Sequence, residues 1–122
     1  MSDIQFLRTE NDIPLSGAAI AGDFMYTWGD GEVLREGHVK EDMRKVFDRL
    51  KALLAEKGLT FADVAKVTAL LTNQEKNWPV YTEVYKEYFK KPYPVRTTIP
   101  IEMKQDILEI DLVAYKKGLS GK

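Results

Sequence analysis

One arginine stands out among the residues able to do chemistry. Arg96 follows Pro92-Tyr93-Pro94-Val95 and opens the run Arg-Thr-Thr-Ile-Pro-Ile. Proline rings fix φ, so the backbone carrying this side chain has little freedom. A planar guanidinium on a rigid strand suits bidentate binding of a carboxylate. The competing reading is a salt bridge to Glu102, Glu109 or Asp111. Glu109 sits between Leu108 and Ile110, and strand alternation turns it away from both, toward solvent or a cleft between subunits. His38 is the only histidine. One imidazole cannot build a multi-histidine metal site, and the carboxylates do not cluster at metal-binding spacing, so no metal is expected. No G-x-S-x-G occurs, and Ser2, Ser16 and Ser120 would have to share His38, which removes a serine triad. His38 itself reads as a solvated loop residue or an isolated acid–base group. The absence of cysteine removes disulfides, thiolate catalysis and thiolate-bound metals.

These residues need elements to position them. Ile4–Arg8 reads as a short strand, followed by apolar runs at Ala18–Ala21 and Phe24–Trp28 joined by the turn pair Gly22-Asp23. Gly29-Asp30-Gly31, followed by Gly37, misses the spacing of a phosphate loop and reads as another turn. From Val39 the period changes: Val39, Met43, Val46, Phe47, Leu50, Leu53 and Leu54 form one helical stripe, with Gly58 as its stop. Thr60 and Asp63 resemble a capping box on a single turn. Ala65, Val67, Ala69 and Leu71 alternate as a strand. A second helix spans about Trp78 to Phe89, and its aromatic stripe (Tyr81, Tyr85, Tyr88, Phe89) reads as core or interface. Arg96–Ile101 and Leu108–Ala114 complete the order βββ-α-β-α-ββ. That order implies an α+β fold with one mixed sheet and two helices on one face. The other face carries Val64, Leu70 and Val113, so self-association is expected.

The 122 residues suit a single domain spanning 1–122. Lys+Arg 18 against Asp+Glu 19 gives a net charge of −1, which offers no positive field for nucleic acid. No apolar run is long enough to cross a membrane. Nor does the start, Met-Ser-Asp-Ile-Gln-Phe, resemble a signal peptide, so the expected address is cytoplasmic, with neither nucleic acid nor membrane as partner.

Four segments carry a resemblance. Lys51–Thr68 holds G-L-x-x-x-D-V-x-K-V-T, Tyr85–Phe89 follows, Tyr93–Thr98 holds P-x-R, and Leu108–Ala114 holds E-I-x-x-x-A. Together, in this order, they resemble the RidA/YjgF family. That resemblance implies a chorismate-mutase-like fold, a homotrimer and ligand clefts between subunits. The implied activity is hydrolysis of reactive enamines and imines that carry a carboxylate, giving a keto acid and ammonia without a cofactor. Arg96 then matches the arginine that clamps the substrate carboxylate, and Glu109 the acid that positions or activates water. Thr98 stands where many members have a cysteine whose backbone contacts the ligand.

The chain departs from that pattern at further positions around the implied cleft. Leu15 stands where many deaminating members have a tyrosine, Trp28-Gly29 where they have Ser-Gly, and Thr82 where they have asparagine. Met103-Lys104-Gln105-Asp106 replaces the usual Leu-Pro before the last strand. Apolar bulk at Leu15 and Trp28 implies a drier or differently shaped cleft and a larger or more apolar substrate. The alternative is a member that binds small carboxylates or a protein partner without turnover.

Overall fold

The stripe beginning at Val39 winds into α1 (Val39–Ala55), which buries Met43, Val46, Phe47, Leu50, Leu53 and Leu54. Each such side chain contributes about 1.5–3 kcal/mol on leaving water. The computed structural model describes residues 3–121. Met1, Ser2 and Lys122 lie outside it, and so do the expectations for the start of the chain and for Ser2. Gly58, at φ 71°, turns the chain off the helix, a conformation glycine adopts without a Cβ clash. The Thr60 hydroxyl then accepts from the Ala62 amide while Asp63 accepts from the Thr60 amide, capping a single 3-10 turn, Phe61–Asp63.

The strands are β1 (Ile4–Leu7), β2 (Ala18–Ala21), β3 (Phe24–Thr27), β4 (Asp30–Val33), β5 (Val64–Thr72), β6 (Val95–Ile101) and β7 (Ile107–Tyr115). They form one sheet ordered β1-β2-β3-β7-β5-β6, with β4 also paired to β7. All pairings are antiparallel except β5–β6. That parallel pair is joined through α2 (Gln74–Tyr88), because parallel neighbours need a crossover. Val67, Ala69, Leu71, Leu108, Ile110, Leu112 and Met25 face the helices and are buried with them in one core. The fold is thus the expected mixed sheet with two helices on one side.

Three details differ from the sequence reading. Asp30-Gly31 is not a turn but the start of β4, with Gly31 opposite Glu109. Arg49 of α1 binds Asp30 (2.7 Å), Glu32 (3.0 Å) and the Gly31 carbonyl (3.0 Å), which draws this polar segment into the sheet. The second helix begins at Gln74, a turn before its apolar stripe. Asn73 takes a left-handed conformation (φ 48°), and the Asn77 side chain donates to the Thr72 carbonyl at 2.9 Å. Finally, Val64 lies in the core rather than on the open face. A bulge between Val64 and Lys66 shifts the alternation there, since one extra residue flips every side chain before it.

The face away from the helices stays uncovered. Its register brings Val95 and Ile99 of β6 beside Lys66 and Leu70 of β5, and Phe24 of β3 opposite Tyr115 of β7. Val95, Ile99, Phe24, Tyr26 and Tyr115 are exposed. No helix among the described residues is long and apolar enough to cross a membrane.

Candidate functional site

Arg96 emerges on β6, the last strand of the sheet, opposite Val67 of β5. That register turns its side chain toward α2 rather than to the open face. The guanidinium carbon lies 4.7 Å from the ring centroids of both Trp78 and Tyr85, and 5.6 Å from that of Tyr81. Trp78, Tyr81, Thr82 and Tyr85 are spaced i, i+3, i+4, i+7, so one face of α2 supplies the whole surround. Nη2 donates to the Thr82 hydroxyl at 3.2 Å, whereas Nη1 is buried without a hydrogen-bond partner. No acidic side chain among the described residues pairs with Arg96. The salt bridges to Glu102, Glu109 or Asp111 allowed by the sequence do not form. A cation taken from water with only ring faces around it gains about 0.5–2 kcal/mol from each well-placed ring.

Arg96 is the centre of a wider cluster of unpartnered groups. Five buried side-chain polar atoms have no hydrogen-bond partner among the described residues: Asn77 Oδ1, Tyr81 Oη, Tyr85 Oη, Arg96 Nη1 and Thr98 Oγ1. Four belong to Arg96, to the two tyrosines stacked on it, or to Thr98 two residues along the same strand. Buried polar atoms are nearly always satisfied, so such a concentration marks where an incoming polar group is needed. Burial raises the pKa of both Tyr81 and Tyr85, opposed by the positive charge of Arg96. Both phenols therefore remain protonated donors at neutral pH. Arg96, Thr82, Tyr85 and Tyr93 line a small concavity of about 170 Å³. Thr98 opens with Trp78 onto a neighbouring one.

Glu109 occupies the opposite side of the sheet. It pairs with Leu70 while its neighbour Ile110, facing the helices, pairs with Ala69. Its side chain lies along the glycines of the β4 ribbon. A Cβ added at Gly29 would stand 2.5 Å from Glu109 Oε2, and one at Gly31 would stand 3.4 Å from Oε1. Gly29 is thus glycine because a carboxylate passes over it. Leu15, Trp28, Gly29 and Glu109 line a shared concavity of about 540 Å³ together with Ile13, Arg49 and the β4 residues Asp30, Gly31 and Glu32. The loop bearing Leu15 is held from within: the Asn11 amide group donates to the carbonyls of Arg8 and Leu15, and Arg8 lies over the Trp28 ring while pairing with Glu56.

The candidate residues therefore fall into two groups, Arg96 with Thr82 and Thr98, and Glu109 with Leu15, Trp28 and Gly29. One chain does not bring them together. Trp78, Tyr81, Tyr85 and Tyr93 were not singled out from the sequence as site residues; the signal for Tyr81 and Tyr85 was the aromatic stripe on α2, whereas Trp78, one turn earlier on that helix, and Tyr93, in the segment before β6, lay outside that stripe. His38 is exposed at the start of α1, 3.5 Å from Glu41.

The model of a family described as Endoribonuclease L-PSP matches residues 11–116. The chain belongs to this family, the RidA/YjgF family. A RutC family protein of Pyrococcus horikoshii is 33% identical over 113 residues, covering 85% of this chain and 88% of that one. A protein of Dermatophagoides farinae named 2-iminobutanoate/2-iminopropanoate deaminase is 29% identical over 94 residues, 72% of this chain and 73% of that one. Among solved structures, a yjgF family member from Streptococcus pyogenes superposes with a TM-score of 0.83 at 28% identity, covering 96% of this chain and 99% of the other. The chorismate-mutase-like fold of the RidA/YjgF family is thus the fold of this chain. Thr82, at the position where many members were expected to carry asparagine, keeps a polar contact to the guanidinium.

Proposed function

We propose that this protein hydrolyses small imines and enamines bearing a carboxylate, in a cleft completed by a second copy of the chain. The observation that carries this reading is the guanidinium of Arg96, stacked on three aromatic rings, with one buried N–H edge unpaired. Rings cover its flat faces and Thr82 holds Nη2, so Nη1, in the plane of the guanidinium, is the buried donor still without an acceptor. A planar carboxylate fits that donor.

The chemistry asks for little more. An enamine tautomerises to the imine, whose carbon is already electrophilic. Glu109 takes a proton from water as its oxygen adds to that carbon and returns it to the imine nitrogen, giving a neutral carbinolamine. The carbinolamine hydroxyl then gives its proton to Glu109, which passes it to the amine as the C–N bond breaks and the carbonyl forms, so imine plus water becomes keto acid plus ammonia. Arg96 and Glu109 face opposite sides of one sheet, so the reaction needs Arg96 from one subunit and Glu109 from its neighbour. The exposed apolar residues on the helix-free face supply a surface for such packing, in a homotrimer. Support also comes from the relatives named as imine deaminases. The family model's name points instead to RNA, but the near-zero net charge gives little attraction for a polyanion.

Subunit complementation tests the proposal. Arg96→Ala and Glu109→Gln, each expected to retain no more than a few per cent of activity alone, are co-expressed so that mixed trimers form. Random assembly leaves about one cleft in four with both groups intact, and about a quarter of wild-type ammonia release is expected. No recovery in verified mixed trimers would contradict the shared cleft. Saturable keto-acid binding with no turnover in the wild type would leave a carboxylate-binding protein instead.

A further inference from the structure

A further concavity, distinct from those of the two groups above, opens between the C-terminal ends of the two helices. Its floor is Leu59, Val64 and Phe89, all core residues, and its walls include Phe61 and Pro92. Its volume is about 460 Å³, within the range of small-molecule sites and room for a ligand of roughly 10–15 heavy atoms. Lys51 stands on the α1 bank, and Lys90 and Lys91 on the bank that follows α2. None of the lining residues is acidic. Among the described residues none of these three lysines has an ion-pair partner, although Lys90 Nζ donates to the Lys86 carbonyl at 3.0 Å. The Tyr88 hydroxyl, also at this site, is already engaged with Asp48 at 2.9 Å. A greasy floor with three lysines at its mouth, of which Lys90 also feels the charge of Glu87, calls for a molecule with an apolar body and one anionic head.

We propose that this groove binds a small amphipathic monoanion, with its hydrocarbon on Leu59, Val64 and Phe89 and its head among Lys51, Lys90 and Lys91. The inference does not depend on the deaminase reading. Only Pro94 is common to the linings of this groove and the Arg96 concavity, so the two are neighbours with different chemistry. Here no ring-stacked guanidinium meets the anion in a plane; flexible ammonium groups meet it at an apolar mouth, and salt weakens them.

The probe is 4-phenylbutyrate, with 4-phenylbutanol as its uncharged counterpart, titrated into the full-length protein by calorimetry. Saturable binding is expected for the acid and at least tenfold weaker binding for the alcohol. Lys51→Glu with Lys91→Glu should weaken the acid about tenfold, since exposed charge pairs each contribute a few-fold. Ala62→Trp, at an exposed position on the wall, should fill the groove and abolish binding. Ala55→Trp serves the same purpose should Ala62→Trp lose its native circular dichroism. In the Arg96→Ala background, which removes the carboxylate clamp proposed above, saturable binding of the acid should persist and should still be lost when Ala62→Trp is added. The proposal is overturned by loss of binding in Arg96→Ala alone, by equal affinity for acid and alcohol, or by no saturable binding at millimolar probe, as when a neighbouring subunit already covers the groove.

Discussion

Replacing Gly29 by alanine separates the positioning of Glu109 from everything else in the molecule. The new Cβ would lie 2.5 Å from Glu109 Oε2 and 2.9 Å from Cδ, where ordinary contact begins at 3.4 Å. The carboxylate must therefore retreat by about 0.5–0.9 Å. Neither Gly29 nor Gly31 has φ in the left-handed region, so alanine strains the backbone at neither position. Displacing one side chain from its rotamer costs about 0.5–1.5 kcal/mol, and the melting temperature should fall by no more than a few degrees. The rate is far more sensitive, because misplacing a reacting group by about 1 Å costs on the order of 100-fold. The expected result for Gly29→Ala is kcat lower by about 30–100-fold with KM within about threefold, since the Arg96 group is untouched. Gly31→Ala is the control: its Cβ would stand 3.4 Å from Oε1, and its kcat should stay within about threefold of wild type. The assay is ammonia and keto-acid release from freshly generated imine. Wild-type turnover in Gly29→Ala, or equal losses in both variants, would refute the role given to the Glu109 carboxylate.

Three further outcomes follow from the same structure. Trp78→Ala removes one face of the stack on Arg96 and should raise KM for a carboxylated imine about 5–10-fold, roughly 1–1.5 kcal/mol, with kcat nearly unchanged; an unchanged KM would contradict the stacking role. Arg35 hydrogen-bonds Asp42 at 2.9 Å and holds this buried carboxyl far below the usual range, against the opposing pull of burial. A lowered folded pKa contributes stability above about pH 4 that is lost as the pH falls through the folded value. Asp42→Asn should thus cost about 1–3 kcal/mol in urea unfolding at pH 7 and flatten the acid limb; an equally steep limb in the variant would contradict this. Burial and the hydrogen bond to Asp48 push the Tyr88 phenol up to about 12. A raised phenol favours the protonated, folded form, so its contribution is present below about pH 10 and fades as the pH rises toward 12. Absorbance titration of the folded protein should show a phenolate step near 12 that Tyr88→Phe removes, and persistence of that step would count against the assignment.

Much of the fold is legible in the sequence because periodicity reports faces. The stripe from Val39 to Leu54 became α1, the Thr60–Asp63 box capped its one turn, and the alternation through Leu108–Ala114 marks the buried face of β7. What periodicity does not report is pairing. Nothing in Asp30-Gly-Glu-Val33 reads as a strand by itself; β4 exists because Arg49 and β7 receive it. The bulge that turns Val64 inward likewise belongs to the register between β5 and β7. The candidate site shows the same division. Alternation says that Arg96 and Glu109 each turn away from particular neighbours, but only the register, with Arg96 beside Val67 and Glu109 beside Leu70, puts them on opposite faces. Tyr81 and Tyr85 were recognisable as part of a stripe. That they also stack on Arg96 depends on where β6 crosses beneath them.

The most direct test of the proposed function is steady-state hydrolysis of freshly generated 2-iminopropanoate by wild type and by Arg96→Ala, with both proteins shown to be folded and equally assembled. Removing the charged partner of a bound carboxylate costs about 2–5 kcal/mol, so kcat/KM should fall at least about 30-fold in the variant. Equal kcat/KM in the two proteins would contradict the assignment of Arg96 as the substrate clamp, and the catalytic reading with it.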